Sequence, residues 1–414
     1  MVRAPLMSLD EATARVLAQA SRAPLASEWV STMEAQGRVL RQAVVSALDV
    51  PAKDNTAMDG YALNTEDLAR WPDCAPLKVS QRIPAGQVGQ PLARGEAARI
   101  FTGAWVPPGA NAVAMQEDCE LNEAGELRVL KPVTPAQWIR RQGEDVKVGE
   151  DVLRLGERLN SASLGLAASV GAASLLVAKR PRVALFSTGD ELVMPGEVAP
   201  QDLRPGAIYN ANRFFLRSLL LQLGCTVTDH GIVPDRRDAT LEALERAAQE
   251  SDLIVTSGGV SVGEEDHVKP SVEALGTLNL WSLAMKPGKP FALGEVRAGK
   301  ANAHFMGLPG NPVSSFVTFL VLVRPFLLAL QGATDVQPPA LQMPAHFDWP
   351  KADARQEFLR VKRNDQGGLS LFENQSSGVL TSCVWADGLV DNPAKNPIRH
   401  GDWVRYLPFS EMGR

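Results

Sequence analysis

The chain has 414 residues, 45% of them hydrophobic and 21% charged, with a formal net charge of −5. That length exceeds one typical core and implies two to four domains, and the ordinary apolar content excludes a largely disordered chain. The negative balance gives no global attraction to nucleic acid or to an anionic membrane, so an anionic ligand needs a local cluster of cations.

Four cysteines (Cys74, Cys119, Cys225, Cys383) stand far apart with no CxxC spacing, which excludes a disulfide framework or zinc ribbon and suits a reducing cytoplasm. The opening MVRAPLMSLDEATARV carries Asp10 and Glu11 where a signal peptide needs an apolar core, so a cytoplasmic location is expected.

The first fifty residues read as helices, beginning with SLDEATARVLAQA, where Ser8 and Glu11 form a capping box. From Pro51 short apolar runs between glycines and prolines (PLKVSQRIPAGQVGQPL, IFTGAWVPPGANAVAMQ, GELRVLKPV) read as a small β domain. The pattern turns helical again from about 142 through the Ala-rich stretch 159–178, LNSASLGLAASVGAASLLVA. That stretch is uncharged for about the length of a membrane span, but Ala, Ser and Gly insert poorly and suit close packing in a soluble core.

After Lys179 strands alternate with helices: PRVALFSTGD, a helix over 209–224, TVTDHGIVPD, ATLEALERAAQES, DLIVTSGG, then a strand and a long apolar helix over 313–332. This alternation predicts a mostly parallel α/β sandwich. From 336 the chain returns to β segments with prolines at their edges. The expected organisation is multidomain α/β + β: a helical domain (1–50 plus 144–178), an inserted β domain (51–143), an α/β domain (179–332) and a C-terminal β-barrel (336–414).

Ligands of parallel α/β sheets sit outside the carboxyl ends of the strands. STGDEL (187–192), TSGGVSVGEED (256–266) and GLPGNPVSS (307–315) all fall there. Their small and hydroxyl residues suit phosphate oxygens and make Thr188, Gly189, Gly258, Gly259, Ser261, Pro309, Gly310, Asn311 and Ser314 candidate substrate contacts. Glu191 and Asp266 lie just past two of these turns, either as a magnesium clamp on a phosphorylated substrate or as acids that favour a helix dipole. KPGKP sets Lys286 and Lys289 around a Pro-Gly turn, as an anion pocket or a solvated loop. GEVRAGK (294–300) imitates a phosphate loop, but Ala301 replaces the needed hydroxyl and its surroundings read as a hairpin.

PAKDNTAMDGYAL, IFTGA, GEDVKVGE, STGDEL, SGGVSVGEED, KPGKP and LPGNPVS occur in this order across 51–314. Together they resemble the molybdopterin molybdotransferases, relatives of the gephyrin catalytic domain. The resemblance implies insertion of molybdenum from molybdate into adenylylated molybdopterin, with release of AMP and with magnesium. It implies Glu191 and Asp266 as magnesium ligands, and Lys286 and Lys289, with Arg355 and Ser377 of the C-terminal part, as molybdate contacts. Asp59, Thr102, Asp145, Asp235 and Asp266 match further functional positions, the first three on the inserted side. It also implies a homodimer with a cleft shared between subunits, and transient contact with the adenylylating enzyme and recipient molybdoenzymes. Two departures stand out: Ser282 where many relatives have lysine, and Lys53 where an apolar residue is usual. A neighbouring adenylylation activity and a non-catalytic scaffold are the competing readings. The inserted domain and C-terminal part speak against the first, and the retained acids and lysines against the second.

Overall fold

The computed structural model describes residues 6–259 and 267–412. At its centre a mixed sheet orders its strands Thr226–Val233, Arg182–Thr188, Leu253–Ser257, Ala301–Leu308, Pro290–Ala298 and Gly276–Ser282. The first four are parallel, Pro290–Ala298 runs against them, and Gly276–Ser282 pairs antiparallel to it and so runs with the first four. The inner strands carry apolar stretches (VALF, LIV, FMGL) buried on both faces because helices cover them, whereas the edge strand TVTDHGIV is only partly buried. Val183 and Leu185 point to a layer holding Leu216 and Leu220 of helix Ala211–Gln222. Ala184 and Phe186 point the other way, to Leu244 and Ala247 of helix Arg237–Glu250 and Val272 of helix Val268–Leu275. GEVRAGK lies in an antiparallel hairpin, which no phosphate loop adopts.

The long apolar helix runs over Pro312–Leu330 and widens to π geometry over Phe319–Val323. It is long and apolar enough to cross a membrane, but 94% of its most apolar window is buried inside the protein. Pro312 starts it because the first turn needs no backbone donor.

The expected helical domain is corrected. Among the described residues its two segments hold only two α-helices, Leu9–Arg22 and Ser161–Ser169. The first, capped by Ser8 Oγ on Glu11 N–H at 3.1 Å, buries Ala12, Val16 and Ala20 in the same core as the helix over 312–330. It belongs to the packing of the α/β unit. The rest is short strands: Ser27–Ser31 pairs with Ser174–Ala178, and Val44–Val45 with Asp151–Leu153. The Ala-rich stretch is split because Gly171 takes φ +83, a left-handed stop after which SLLVA returns as strand.

The inserted segment forms its own sheet, in the order Ala112–Met115, Gly60–Leu63, Glu96–Ile100, Leu77–Ile83, Glu126–Val129, Cys119–Leu121. The glycine of AMDGYA is required there, since a Cβ on Gly60 would stand 1.9 Å from the Ala114 carbonyl oxygen.

The C-terminal strands Gln356–Arg363, Gly388–Asn392, Trp403–Pro408 and Leu341–Pro344 form a curved antiparallel sheet around Leu359, Val390 and Tyr406. His346 N–H donates to the Leu369 carbonyl at 2.8 Å and brings the far edge round to Leu369–Leu371, which pairs with Gln356–Arg363. Met285–Lys286, from the α/β unit, pairs in parallel with Gln356 and Glu357. The KPGKP segment is thereby clamped between two units.

Phe326 of the long helix is fully buried, with its ring edge-on to His304 at 5.1 Å between centroids. Phe326→Ala should destabilise the α/β unit by about 3–5 kcal/mol, read as an earlier urea unfolding midpoint.

Candidate functional site

The order of the parallel strands reverses beside Arg182–Thr188, which has Thr226–Val233 on one side and Leu253–Ser257 on the other. Loops leaving the carboxyl ends of adjacent strands diverge at such a point and leave a crevice. A cleft of about 510 Å³ opens there, lined by Thr188, Glu191, Asn210, Ser257, Gly310 and Ser314 among others. The three glycine- and proline-bearing turns meet in it.

Their convergence rests on strand register and on hydrogen bonds between the turns. Ser187 stands beside Ser257, and Ser257 beside Leu308. Gly258 must lack a side chain, because a Cβ there would come 2.9 Å from the Thr188 carbonyl oxygen. A Cβ on Gly259 would meet Thr188 Oγ1 at 2.8 Å and Val268 at 2.4 Å. The Gly258 N–H donates to the Leu308 carbonyl at 3.0 Å, so the free backbone donor expected from this glycine is already engaged. Asn212, which the sequence reading passed over, ties two turns together: its Nδ2 donates to Ser257 Oγ and to the Gly310 carbonyl, both at 2.7 Å. Its only signal was a polar residue on the buried side of an apolar helix.

The cleft offers unused donors. Thr188 Oγ1 and Asn210 Nδ2 are buried without a hydrogen-bond partner among the described residues. Two helices also begin at its wall, at Ala211 behind the Asn210 cap and at Pro312 behind Asn311. Each N-terminus contributes positive potential and unpaired N–H groups, so the cleft suits an anionic ligand despite the chain's net charge.

Glu191 is exposed at the cleft, its carboxylate folded over Gly189, where a Cβ would lie 2.5 Å from Oε2. Asp235 is half-buried beside the same turn, its N–H donating to Asp190 Oδ1 at 3.4 Å. Ser261 and Asp266 lie outside the described residues. Among the described residues no group of three acids, histidines or cysteines could hold a metal by itself. One carboxylate at a cleft lined by unpartnered donors would nevertheless fit magnesium, which takes few protein ligands and completes its shell with oxygens of a bound ligand and water.

A second, charged centre lies where KPGKP meets the C-terminal sheet. Lys286 Nζ stands 3.2 Å from Asp353 Oδ2 and 3.3 Å from Glu357 Oε1. Arg355 grips Asp353 through Nε and Nη2, both at 3.0 Å. These bonds, led by the Arg355 side chain, hold the Asp353 carboxyl well below the usual carboxylate range. Glu357 is only 1% exposed and accepts Trp349 Nε1–H at 2.8 Å and the Asp353 N–H at 3.1 Å. A cavity of about 210 Å³ adjoins the cluster, lined by Lys286, Glu357, Arg360 and Ser376 among others. Ser377 faces the long helix, its carbonyl accepting Val313 N–H at 3.0 Å. Lys289 is exposed and forms no ion pair among the described residues. The sequence reading therefore named Lys286 and Arg355 but missed Asp353, Glu357 and Trp349. Charges inside the apolar strand Gln356–Arg363 were the available signal.

The inserted-side residues do not line the cleft of their own chain. Asp59 Oδ1 accepts the Thr102 N–H at 2.8 Å and its hydroxyl at 2.7 Å, and these bonds keep the Asp59 carboxyl below its usual range. An ionised Asp59 does not suit a general acid. Asp145 is exposed, with its N–H on the Val50 carbonyl at 3.0 Å.

Three family models together match most of the chain: the MoeA N-terminal region (domain I and II) at residues 7–171, a probable molybdopterin binding domain at 184–329, and the MoeA C-terminal region (domain IV) at 342–409. A molybdopterin molybdenumtransferase of Haemophilus influenzae is 39% identical, covering 98% of this chain and 100% of that protein. Molybdopterin molybdenumtransferase 2 of Mycobacterium tuberculosis is 36% identical over 92% of this chain and 94% of its own length. The crystal structure of the molybdopterin biosynthesis moeA protein from Pyrococcus horikoshii aligns with a TM-score of 0.82 at 29% identity, covering 98% of this chain and 100% of that one.

Asn212→Ala would leave the Gly310 carbonyl and Ser257 hydroxyl without their shared donor. It should lower stability by about 1–3 kcal/mol in urea unfolding.

Proposed function

The chain belongs to the molybdopterin molybdenumtransferase family, transferases of molybdenum cofactor biosynthesis, and from this we propose that it inserts molybdenum from molybdate into adenylylated molybdopterin and releases AMP. The observation that carries the reading is the cleft at the strand-order reversal, with two helix N-termini and the unpartnered donors of Thr188 and Asn210. A ligand rich in phosphate oxygens answers that chemistry, and an adenylylated pterin carries a pyrophosphate.

In this reading Gly258 and Gly259 let the substrate approach the strand ends, while Thr188 and Asn210 donate to its phosphate oxygens. Glu191 would hold magnesium against those oxygens, with Asp266 as second ligand. A magnesium ion held there by these acids would supply positive charge to offset that developing on the departing AMP. Lys286 and Arg355 hold molybdate, with Ser377 and Lys289 at the margin of that pocket. The Lys286 strand is hydrogen-bonded to the C-terminal sheet, so the anion pocket and the cleft share a rigid frame.

We also propose that the protein works as a homodimer, in which Asp59, Thr102 and Asp145 of one subunit reach the cleft of the other. Their absence from the lining of their own cleft supports this, as does the ionised state of Asp59, which suits contact with a cation or a donor.

AMP release from adenylylated molybdopterin should require molybdate, and a folded sample that releases none in its presence rules the activity out. Glu191→Gln should raise the magnesium concentration for half-maximal release by about tenfold or more, and an unchanged magnesium dependence removes Glu191 from that role. Mixing inactive Asp59→Asn and Asp266→Asn subunits should restore turnover that neither has alone, because one mixed cleft is intact. Failure to restore it in proven mixed dimers would argue for sites complete within one chain.

A further inference from the structure

We propose that Asp353 is an internal counter-anion, which a tetrahedral oxyanion must displace from Lys286 and Arg355, so that this one carboxylate sets how much charge an anion needs to enter the pocket. The inference rests on the reading of Lys286 and Arg355 as molybdate contacts.

The two acids of the cluster are held in different ways. Glu357 is built into the sheet: it is buried, and Trp349 Nε1 and the Asp353 N–H fix its Oε2 whatever Lys286 does. Its charge is a permanent partner of Lys286. Asp353 sits on the loop before that strand with its side chain 22% exposed. Its carboxylate oxygens bond to Lys286 Nζ, to Arg355 Nε and Nη2, and to the Arg355 N–H. Those two side-chain cations are the ones that an incoming oxyanion needs. Among the described residues no third side chain bonds to the carboxylate.

A group that occupies both cations, with only the backbone Arg355 N–H holding it otherwise, competes with any ligand for them. The exchange favours anions by charge. A carboxylate carries one negative charge, whereas molybdate carries two, so the dianion gains roughly twice the attraction that the pocket loses. A monoanion gains no such surplus and is left in solution. Glu357 cannot play this part, because its removal would leave the Trp349 Nε1–H and the Asp353 N–H without their shared acceptor. The device therefore filters abundant monoanions at the cost of some molybdate affinity.

The test compares Asp353→Asn, Asp353→Glu and Lys286→Ala in full-length protein. It reads the molybdate concentration for half-maximal AMP release, inhibition of that release by nitrate, and the thermal midpoint. Asp353→Asn should lower the half-saturating molybdate by about tenfold and make nitrate a competitive inhibitor. Asp353→Glu, which keeps the charge, should stay near wild type, and Lys286→Ala should raise the requirement. If Asp353→Asn is folded and its molybdate requirement is unchanged or higher while Lys286→Ala raises it, Asp353 organises the pocket and the competitor role is overturned. If Lys286→Ala leaves molybdate dependence untouched, the anion-pocket reading itself fails, and this inference with it.

Discussion

The arrangement of both sites depends on one constraint, the need to cover the helix over 312–330 on every side. So apolar a helix must be enclosed, and here three parts of the chain share its core. The central sheet covers one flank and the N-terminal helix Leu9–Arg22 another. The C-terminal part adds Phe409, packed edge-on against Phe316 at 5.4 Å. Arg324, buried within the helix, donates to the Val336 carbonyl at 3.1 Å and to that of Glu411 at 3.3 Å, and burial pulls its pKa down to about 10. The start of the same helix is the GNP turn at the cleft, and its Val313 N–H meets Ser377. Enclosing the helix thus sets the cleft and the Lys286 cluster in one frame.

Within that frame the electrostatics are local. A chain of net charge −5 lines its cleft with helix N-termini and unpartnered donors, which give local positive potential without formal charge. The second centre uses formal charge, but neutralises it from within through Asp353 and Glu357. Arg360 belongs to neither. It is 1% exposed, and burial pulls its pKa down to about 10. Its guanidinium is held by the Phe358 carbonyl at 2.9 Å and by Ser382 Oγ at 3.2 Å, a buried cation satisfied by dipoles in place of a carboxylate. Such a group fixes the shape of the cavity beside it.

Much of the α/β unit was legible before any coordinates. Two-sided apolar strands, a helix ending at Gly224 and turns rich in glycine carry their physical cause in the residues themselves. The N-terminal segments were less legible. An Ala-rich run has high helix propensity, and only Gly171 marks where it stops; SEWVS is a strand because a partner, Ser174–Ala178, lies far along the chain. The sites divided in the same way. Thr188, Gly258 and Gly310 were visible as turn residues at strand ends. Asn212 was not, because a buried asparagine in a helix declares no partner until the fold supplies two.

The sequence by itself determined many of the elements, the strand-end turns, the order of the seven motifs and the small, hydroxyl and charged residues that those turns carry. Those are properties of local chemistry and of order along the chain. Tertiary structure alone decided that Lys286 joins the C-terminal sheet, that Asp353 stands between two cations, and that Asp59, Thr102 and Asp145 lie away from their own cleft. The reason is that each of these depends on contacts between residues tens to hundreds of positions apart, or on a cleft none of them lines, and no local pattern of side chains records them.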